Sequence, residues 1–327
     1  MKYRMLGKTG IKVSELGLGG LFVSSLGTTR EEAGHAVRRA LELGVNYIDT
    51  APGYLDSEEV LGFALEGVER PYILSTKLGG RPKPFDPQDK DGLRRSVEDS
   101  LRLLRRDYID ILMIHEPDRP GQYDWFPDWE HFQGPVCELL ASLKSEGIIR
   151  FTGLGGTTAY TLAHIVSTGE YDVVLTAFNY SLLWREATIA VLPEAEKQGM
   201  GIIVGSPLQQ GALARCYTEQ VEHGARWLSP PRREQFKRLY ALAHDLGITL
   251  PEIALRFVIS NPVISTTLMG ARSTVEVEQN VRSVEKGPLP RDVLDEIQNI
   301  ADMVPFRPFE EPFGLPFTRR YKGPGHA

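Results

Sequence analysis

Eight times along this chain a short, continuously apolar run is followed by a stretch with helical spacing. The runs fall at residues 16–20, 47–50, 72–76, 109–115, 149–153, 173–178, 201–204 and 265–268. Strands that are apolar without alternation are buried on both faces, as parallel strands covered by helices are. The helices are expected at 29–43, 57–65, 92–105, a stretch ending near 147, 159–167, 186–198, 232–246 with 251–259, and 275–281. In the first of these Ala33, Ala36, Val37, Ala40 and Leu41 recur at helical spacing and Gly44 stops the run. Ser57 is expected to cap the second. Eight strand–helix units in about 280 residues predict a (β/α)8 TIM barrel of the α/β class. Residues 3–5 and 11–13, around a Gly-Lys-Thr-Gly turn, predict an N-terminal β-hairpin. Residues 292–303 read as an extra C-terminal helix, and 305–327, rich in Pro, Phe and Gly, as a tail over the barrel surface. No linker of flexible composition divides the chain, so 1–327 is expected to form one domain.

Composition narrows the partners. A net charge of -6 leaves no basic excess to neutralise phosphates, which argues against nucleic acid. Cys137 and Cys216 are too few for a disulfide framework and lack metal-ligand spacing, so a cytoplasmic location and no metal are expected. No apolar run approaches the roughly 20 residues of a membrane helix. A small molecule is the expected partner, with a homo-oligomer left open.

In a barrel of this kind, chemistry gathers at the C-terminal ends of the strands. Asp49 lies near the end of the second strand, inside "NYIDTAPGY" (46–54), and Tyr54 follows on the next loop. Lys77 ends the third strand and His115 the fourth. Alone, Asp49 reads as a turn cap, Tyr54 as a loop aromatic and His115 as a core histidine. A lysine at a buried strand end is costly without a partner, and Asp49 is a candidate for that partner. Together the four suit reduction of a carbonyl. Hydride arriving at the carbon leaves an alkoxide that needs a proton, and a free phenol, with a pKa of about 10, is a reluctant donor. An ammonium beside the phenol is expected to lower that pKa. The carboxylate anchors the ammonium, and the imidazole orients the carbonyl oxygen and assists the proton transfer.

At Asp49, Tyr54, Lys77 and His115 the chain resembles the aldo-keto reductase superfamily. "RMLGKTGIKVSELGLGG" is similar to the family's opening hairpin and first strand, "NYIDTAPGY" to its tyrosine motif, "STK" to its lysine motif and "IHEPD" to its histidine motif. "SPLQQGAL" (206–213) and "GARSTVEVEQN" (270–280) resemble the segments after the seventh and eighth strands that hold the cofactor. The resemblance implies a barrel that uses NADP or NAD without a Rossmann domain, with Tyr54 as proton donor. It assigns cofactor contacts to Gly155, Gly156, Ser206, Pro207, Leu208, Gln210, Gly270, Arg272, Glu276 and Asn280. Gly155 and Gly156 stand where the family often has Ser-Asn, Ala177 where a glutamine is common, and Gly205 where an aromatic often stacks under the nicotinamide. These departures point toward sugar or lactol dehydrogenases. Asn179, near Ala177, is expected to point to the other face. Arg272 suits a 2′-phosphate while Glu276 would repel one, which leaves the choice between NADP and NAD open.

The substrate pocket is expected from Phe22, Trp125, Phe126, Trp129 and Trp184, with "YDWFPDW" (123–129) as a stacking loop. A second reading is a regulatory subunit similar to ion-channel β subunits, binding NADP with slow turnover. A lyase or isomerase barrel would leave 270–280 without a purpose.

Overall fold

The computed structural model describes residues 1–225 and 227–305; most of the expected tail lies outside them. Two short antiparallel strands, β1 (Tyr3–Met5) and β2 (Lys12–Ser14), form the hairpin. Eight parallel strands follow: β3 (Leu16–Gly19), β4 (Tyr47–Asp49), β5 (Ile73–Leu78), β6 (Ile109–His115), β7 (Ile149–Gly156), β8 (Val173–Ala177), β9 (Gly201–Gly205) and β10 (Thr266–Met269). They pair in chain order, and β10 returns to β3, so the sheet closes into a barrel. The helices between them are α1 (Arg30–Glu42), α2 (Ser57–Ala64), α3 (Lys90–Leu104), α4 (Pro135–Ser145), α5 (Tyr160–Val166), α6 (Val191–Lys197), α7 (Thr218–His223), α8 (Pro230–Leu246), α9 (Leu250–Ser260) and α10 (Thr274–Glu285), with α11 (Arg291–Asp302) as the added C-terminal helix.

The hairpin decides which mouth is open. Leu6, Ile11 and Val13 join Tyr47, Ile111, Met113, Val173 and Ile203 in the cluster that fills the barrel. The turn after β1 lies against the strand entrance: the Lys8 amide donates to Gly199 O at 2.8 Å. The approach is so close that a Cβ on Gly7, which has a φ of +51°, would lie 2.2 Å from the Gly201 amide nitrogen. The N-terminal mouth is therefore plugged by backbone and aliphatic side chains. Any ligand has to enter from the C-terminal mouth, where the sequence places its ionisable residues.

Several boundaries differ from expectation. β5 runs on through Leu78 and β7 through Gly156, because the glycine-rich end of β7 finds partners on both sides, His115↔Gly155 and Gly156↔Thr176. Lys77 thus sits inside a paired strand. Ser57 does not cap α2; its hydroxyl donates to Gly20 O and shares a bond with Thr50 Oγ1, tying the ends of β3 and β4 together. The expected helix over 186–198 splits into a 3-10 turn, Glu186–Thr188, and α6. Pro193 has no amide hydrogen for the carbonyl of Ile189, so an unbroken helix there would lose a bond and gain a clash. The long polar connection after β9 carries the short helix α7. Helix α11 is fastened to α8, where the Gln235 amide donates to Ile300 O at 2.8 Å and Ala301 O at 3.1 Å.

Candidate active site

The four ionisable residues converge at the open mouth. Lys77 Nζ donates to Asp49 Oδ2 at 2.7 Å and to Thr50 O at 2.8 Å. Asp49 Oδ1 in turn accepts from Ser75 Oγ at 2.8 Å, and Ser75 Oγ accepts from the Tyr47 hydroxyl at 2.9 Å. The ion pair is almost wholly buried, with side-chain exposures of 1% and 3%, so each charge depends on the other and on these added bonds. Lys77 Nζ lies 4.9 Å from the centre of the Tyr54 ring. The Tyr54 and His115 rings meet edge to face at 5.8 Å.

Gly155 makes room for the lysine stem: a Cβ there would stand 3.3 Å from Lys77 Cε. Trp125 fixes the end of β6, its indole N–H donating to His115 O at 2.9 Å.

Burial governs the protonation of these groups. His115 is held neutral, its pKa lowered to about 3 first by burial and then by the charge of Lys77. Its Nδ1 is buried without a partner among the described residues, which leaves ring hydrogen-bonding capacity for a molecule in the cavity. Tyr54 departs from expectation. Its pKa is raised well above the ordinary phenol value, by burial first and then by the carboxylates of Asp49 and Glu116. Burial of the phenol, the larger cause, works against the acidifying effect expected of Lys77.

A cavity of about 1410 Å³ opens over this group. It is lined by Asp49, Tyr54, Lys77 and His115, and by every residue the resemblance assigns to the cofactor: Gly155, Gly156, Ser206, Pro207, Leu208, Gln210, Gly270, Arg272, Glu276 and Asn280. Along one flank Ser206, Gln209 and Gln210 all adopt positive φ, an unusual concentration of left-handed residues for side chains other than glycine. At the far end Arg272 and Glu276 are committed to each other. The Arg272 amide donates to Glu276 Oε2 at 2.8 Å and its guanidinium to Oε1 at 3.1 Å, while Ser273 Oγ caps α10 by accepting from the Glu276 amide.

Of the aromatic residues expected around a substrate, Phe22 lines the cavity. Trp125, Phe126 and Trp184 do not; they are buried within the fold. Trp125 packs on Phe85 and Tyr123, and Phe126 on Trp129 and Phe132. Trp184 lies under the Arg232 guanidinium, 4.5 Å from its ring centre. Trp129 is partly exposed beside Phe126 and Phe132. The loop "YDWFPDW" is thus packed largely by its own aromatics, the favourable use of large apolar faces where several are adjacent. Asn179 also stays out of the cavity lining, its amide spent on Thr157 O at 2.8 Å and Ala177 O at 2.9 Å.

Among the cavity residues that escaped the sequence reading, two are polar neighbours of the motif positions. Thr157 follows Gly155-Gly156; its Oγ1 is buried without a partner among the described residues. Its loop is pinned by Asp118, whose Oδ2 accepts from the amides of Thr157 at 2.9 Å and Thr158 at 2.5 Å. Glu116, directly after His115, is 1% exposed and has neither carboxylate oxygen bonded among the described residues. The available signal for both was adjacency: each is a polar residue directly following a motif position.

Comparison with known proteins identifies the family. The family model described as "Aldo/keto reductase family" matches residues 15–302. L-galactose dehydrogenase of Arabidopsis thaliana is 32% identical over 321 residues, covering 93% of this chain and 95% of the relative. D-threo-aldose 1-dehydrogenase of Pseudomonas sp is 26% identical over 302 residues, covering 83% and 89% respectively. Among solved structures, aldo-keto reductase AKR11C1 from Bacillus halodurans, in its holo form, matches with a TM-score of 0.75 and 31% identity over 92% of this chain and 96% of that one. With its barrel closed, its N-terminal mouth plugged and its sequence matched from the first barrel strand to the last helix, this chain belongs to the aldo/keto reductase family and is an oxidoreductase.

Proposed function

We propose that the protein interconverts a carbonyl compound and its alcohol using NAD(P), with Tyr54 as the acid–base residue and sugars or lactols among its substrates. One observation carries this reading: a buried lysine, ion-paired to Asp49 at 2.7 Å, stands 4.9 Å from the ring of a tyrosine whose edge-to-face neighbour is a neutral histidine. The names of two relatives, L-galactose dehydrogenase and D-threo-aldose 1-dehydrogenase, support the sugar assignment.

The residues present fit a nicotinamide dinucleotide. The cavity exceeds the roughly 300–1,000 Å³ of a typical single-ligand pocket, and it joins the ionisable group to the Arg272–Asn280 segment. Where the family's Ser-Asn is replaced by Gly155-Gly156, the Thr157 hydroxyl, unpartnered among the described residues, is suited to hold the carboxamide. When bound, the nicotinamide supplies or takes the hydride, and in its oxidised form brings a positive charge.

Tyr54 delivers the proton to the forming alkoxide, or removes it in the oxidative direction. Neutral His115 donates a hydrogen bond to the reacting oxygen. Lys77, positioned by Asp49, steadies the phenolate that Tyr54 leaves behind. Tyr54→Phe is expected to keep NADH affinity, measured by fluorescence quenching, while turnover of aldehydes falls by about 10²–10⁴-fold. Undiminished turnover would refute the assignment.

Glu276 decides the nucleotide. Its carboxylate already occupies Arg272, so a 2′-phosphate has to compete for that guanidinium, whereas a ribose hydroxyl can donate to the carboxylate. NAD is therefore the favoured form in this reading. Glu276→Gln should shift the NADPH-to-NADH affinity ratio toward NADPH by about 10-fold, the order of one charge-assisted hydrogen bond. An unchanged ratio would remove Glu276 from that role.

A further inference from the structure

Glu116 is the most exceptional side chain at the open mouth that the mechanism above leaves without a role. It is 1% exposed, it lines the cavity, and no hydrogen bond reaches either of its oxygens among the described residues. A buried carboxylate in a folded protein is ordinarily bonded on both oxygens, because leaving water without compensation is expensive. Asp118, two residues on, has one oxygen unpartnered among the described residues, but its Oδ2 takes two amides and a hydroxyl, whereas Glu116 has neither oxygen compensated in that way. Nor is Glu116 free to turn elsewhere. Its backbone has a φ of +49°, held by its amide donating to Gly155 O at 2.7 Å and its carbonyl accepting from the Arg119 amide at 3.2 Å. Burial, with a smaller contribution from the Asp118 charge, outweighs the compensation from Arg119 and Gln122, and the carboxyl group is pushed up to about 7. It directly follows His115 at the end of β6 and lines the same cavity as Tyr54, Lys77 and His115.

We propose that Glu116 is a substrate-binding residue that accepts a hydrogen bond from a hydroxyl on the carbon next to the reacting one, so that hydroxylated aldehydes and lactols are preferred to plain aldehydes. This rests on the oxidoreductase reading and sharpens it. A site built around an acceptor rejects the analogue that lacks the donor, because its buried oxygens are then left unpaired. A hydroxyl is taken as the partner because relatives are named for sugars, in which the carbon next to the carbonyl carries one.

The test compares racemic glyceraldehyde with propionaldehyde in the wild type, Glu116→Leu and Glu116→Gln, as kcat/KM with saturating NADH or NADPH. The wild type should prefer glyceraldehyde. In Glu116→Leu at pH 8, above the raised value of the carboxyl group, the ratio of kcat/KM for glyceraldehyde to that for propionaldehyde should fall by about 10- to 100-fold, as for loss of a hydrogen bond to a charged group, any change exerted through Tyr54 being common to both aldehydes. Glu116→Gln, which keeps one acceptor oxygen, should fall between. Equal losses on both aldehydes, or none on glyceraldehyde, would overturn the proposal. A wild type that reduces propionaldehyde with no preference for glyceraldehyde would overturn it while leaving the oxidoreductase reading intact; one that reduces neither would overturn both. A preference for aminoacetaldehyde over glyceraldehyde would mark the carboxylate as a cation site and also refute it.

Discussion

At the scale of single residues, the active site is a set of unfavourable burials held in place by their neighbours. Glu116 and His115 are adjacent and respond to pH in opposite senses. Glu116 is raised from 4.5 to about 7 in the folded chain. Between those values the folded protein holds a proton that the unfolded chain has released, so this group makes the fold less stable as pH rises through that window. His115 is lowered from 6.5 to about 3, so unfolding takes up a proton as pH falls below 6.5, and stability is lost in that direction. Comparing Glu116→Gln with the wild type isolates the first effect. Its stability advantage in urea unfolding should grow by about 3 kcal/mol between pH 4 and pH 8, since each pKa unit corresponds to about 1.4 kcal/mol. A difference that does not change with pH would show that the carboxyl group is not held in this way. The four ionisable residues were legible in the sequence because strand ends in a barrel all point to one mouth. The protonation of Tyr54 was not, because burial is the main cause of its raised value and burial is set by packing. The same limit applies to Trp125, Phe126 and Trp184: an aromatic loop reads identically whether its rings face a ligand or one another.

At the scale of elements, the site depends on pieces that never touch it. The hairpin turn closes the opposite mouth by backbone contact, and Gly7 is the residue that permits it. Gly7→Ala requires a positive φ of an alanine and places its Cβ inside the backbone of residues 199–201. It should destabilise the protein by about 2 kcal/mol or more, as overpacking combined with an unsuitable φ does, read as a lowered urea midpoint with an unchanged m-value. A midpoint equal to wild type would mean that the hairpin does not bear on the barrel. The strand–helix alternation was readable because buried parallel strands lose their polar alternation. Exact ends were less so. β7 continues through two glycines because β6 and β8 supply partners, and Ser57 gives up its capping position for a bond to Gly20 O.

At the scale of the whole molecule, closing eight strands into a ring creates one cavity from segments distant in sequence, and Asp49 and Asn280 line the same space. Cofactor binding should therefore stabilise the barrel as a unit. NADH at 100 times its Kd is expected to raise the unfolding free energy by about 2.7 kcal/mol, seen as a single transition moved upward in temperature. No shift under saturating NADH or NADPH would separate this cavity from nucleotide binding. The repeated apolar runs, the acid, amine and imidazole at strand ends, the phenol on the loop after the second strand and the 270–280 segment were all determined by the sequence, because period and spacing are local properties of a chain. The tertiary structure alone decided that the ammonium is shared between Asp49 and Thr50 O, that Thr157 and Glu116 line the cavity with side-chain oxygens unpartnered among the described residues, and that the loop tryptophan Trp125 donates to His115 O from a buried position. Burial and hydrogen-bond partnership arise only when segments far apart in the chain are packed together, so no reading of neighbours along the sequence contains them.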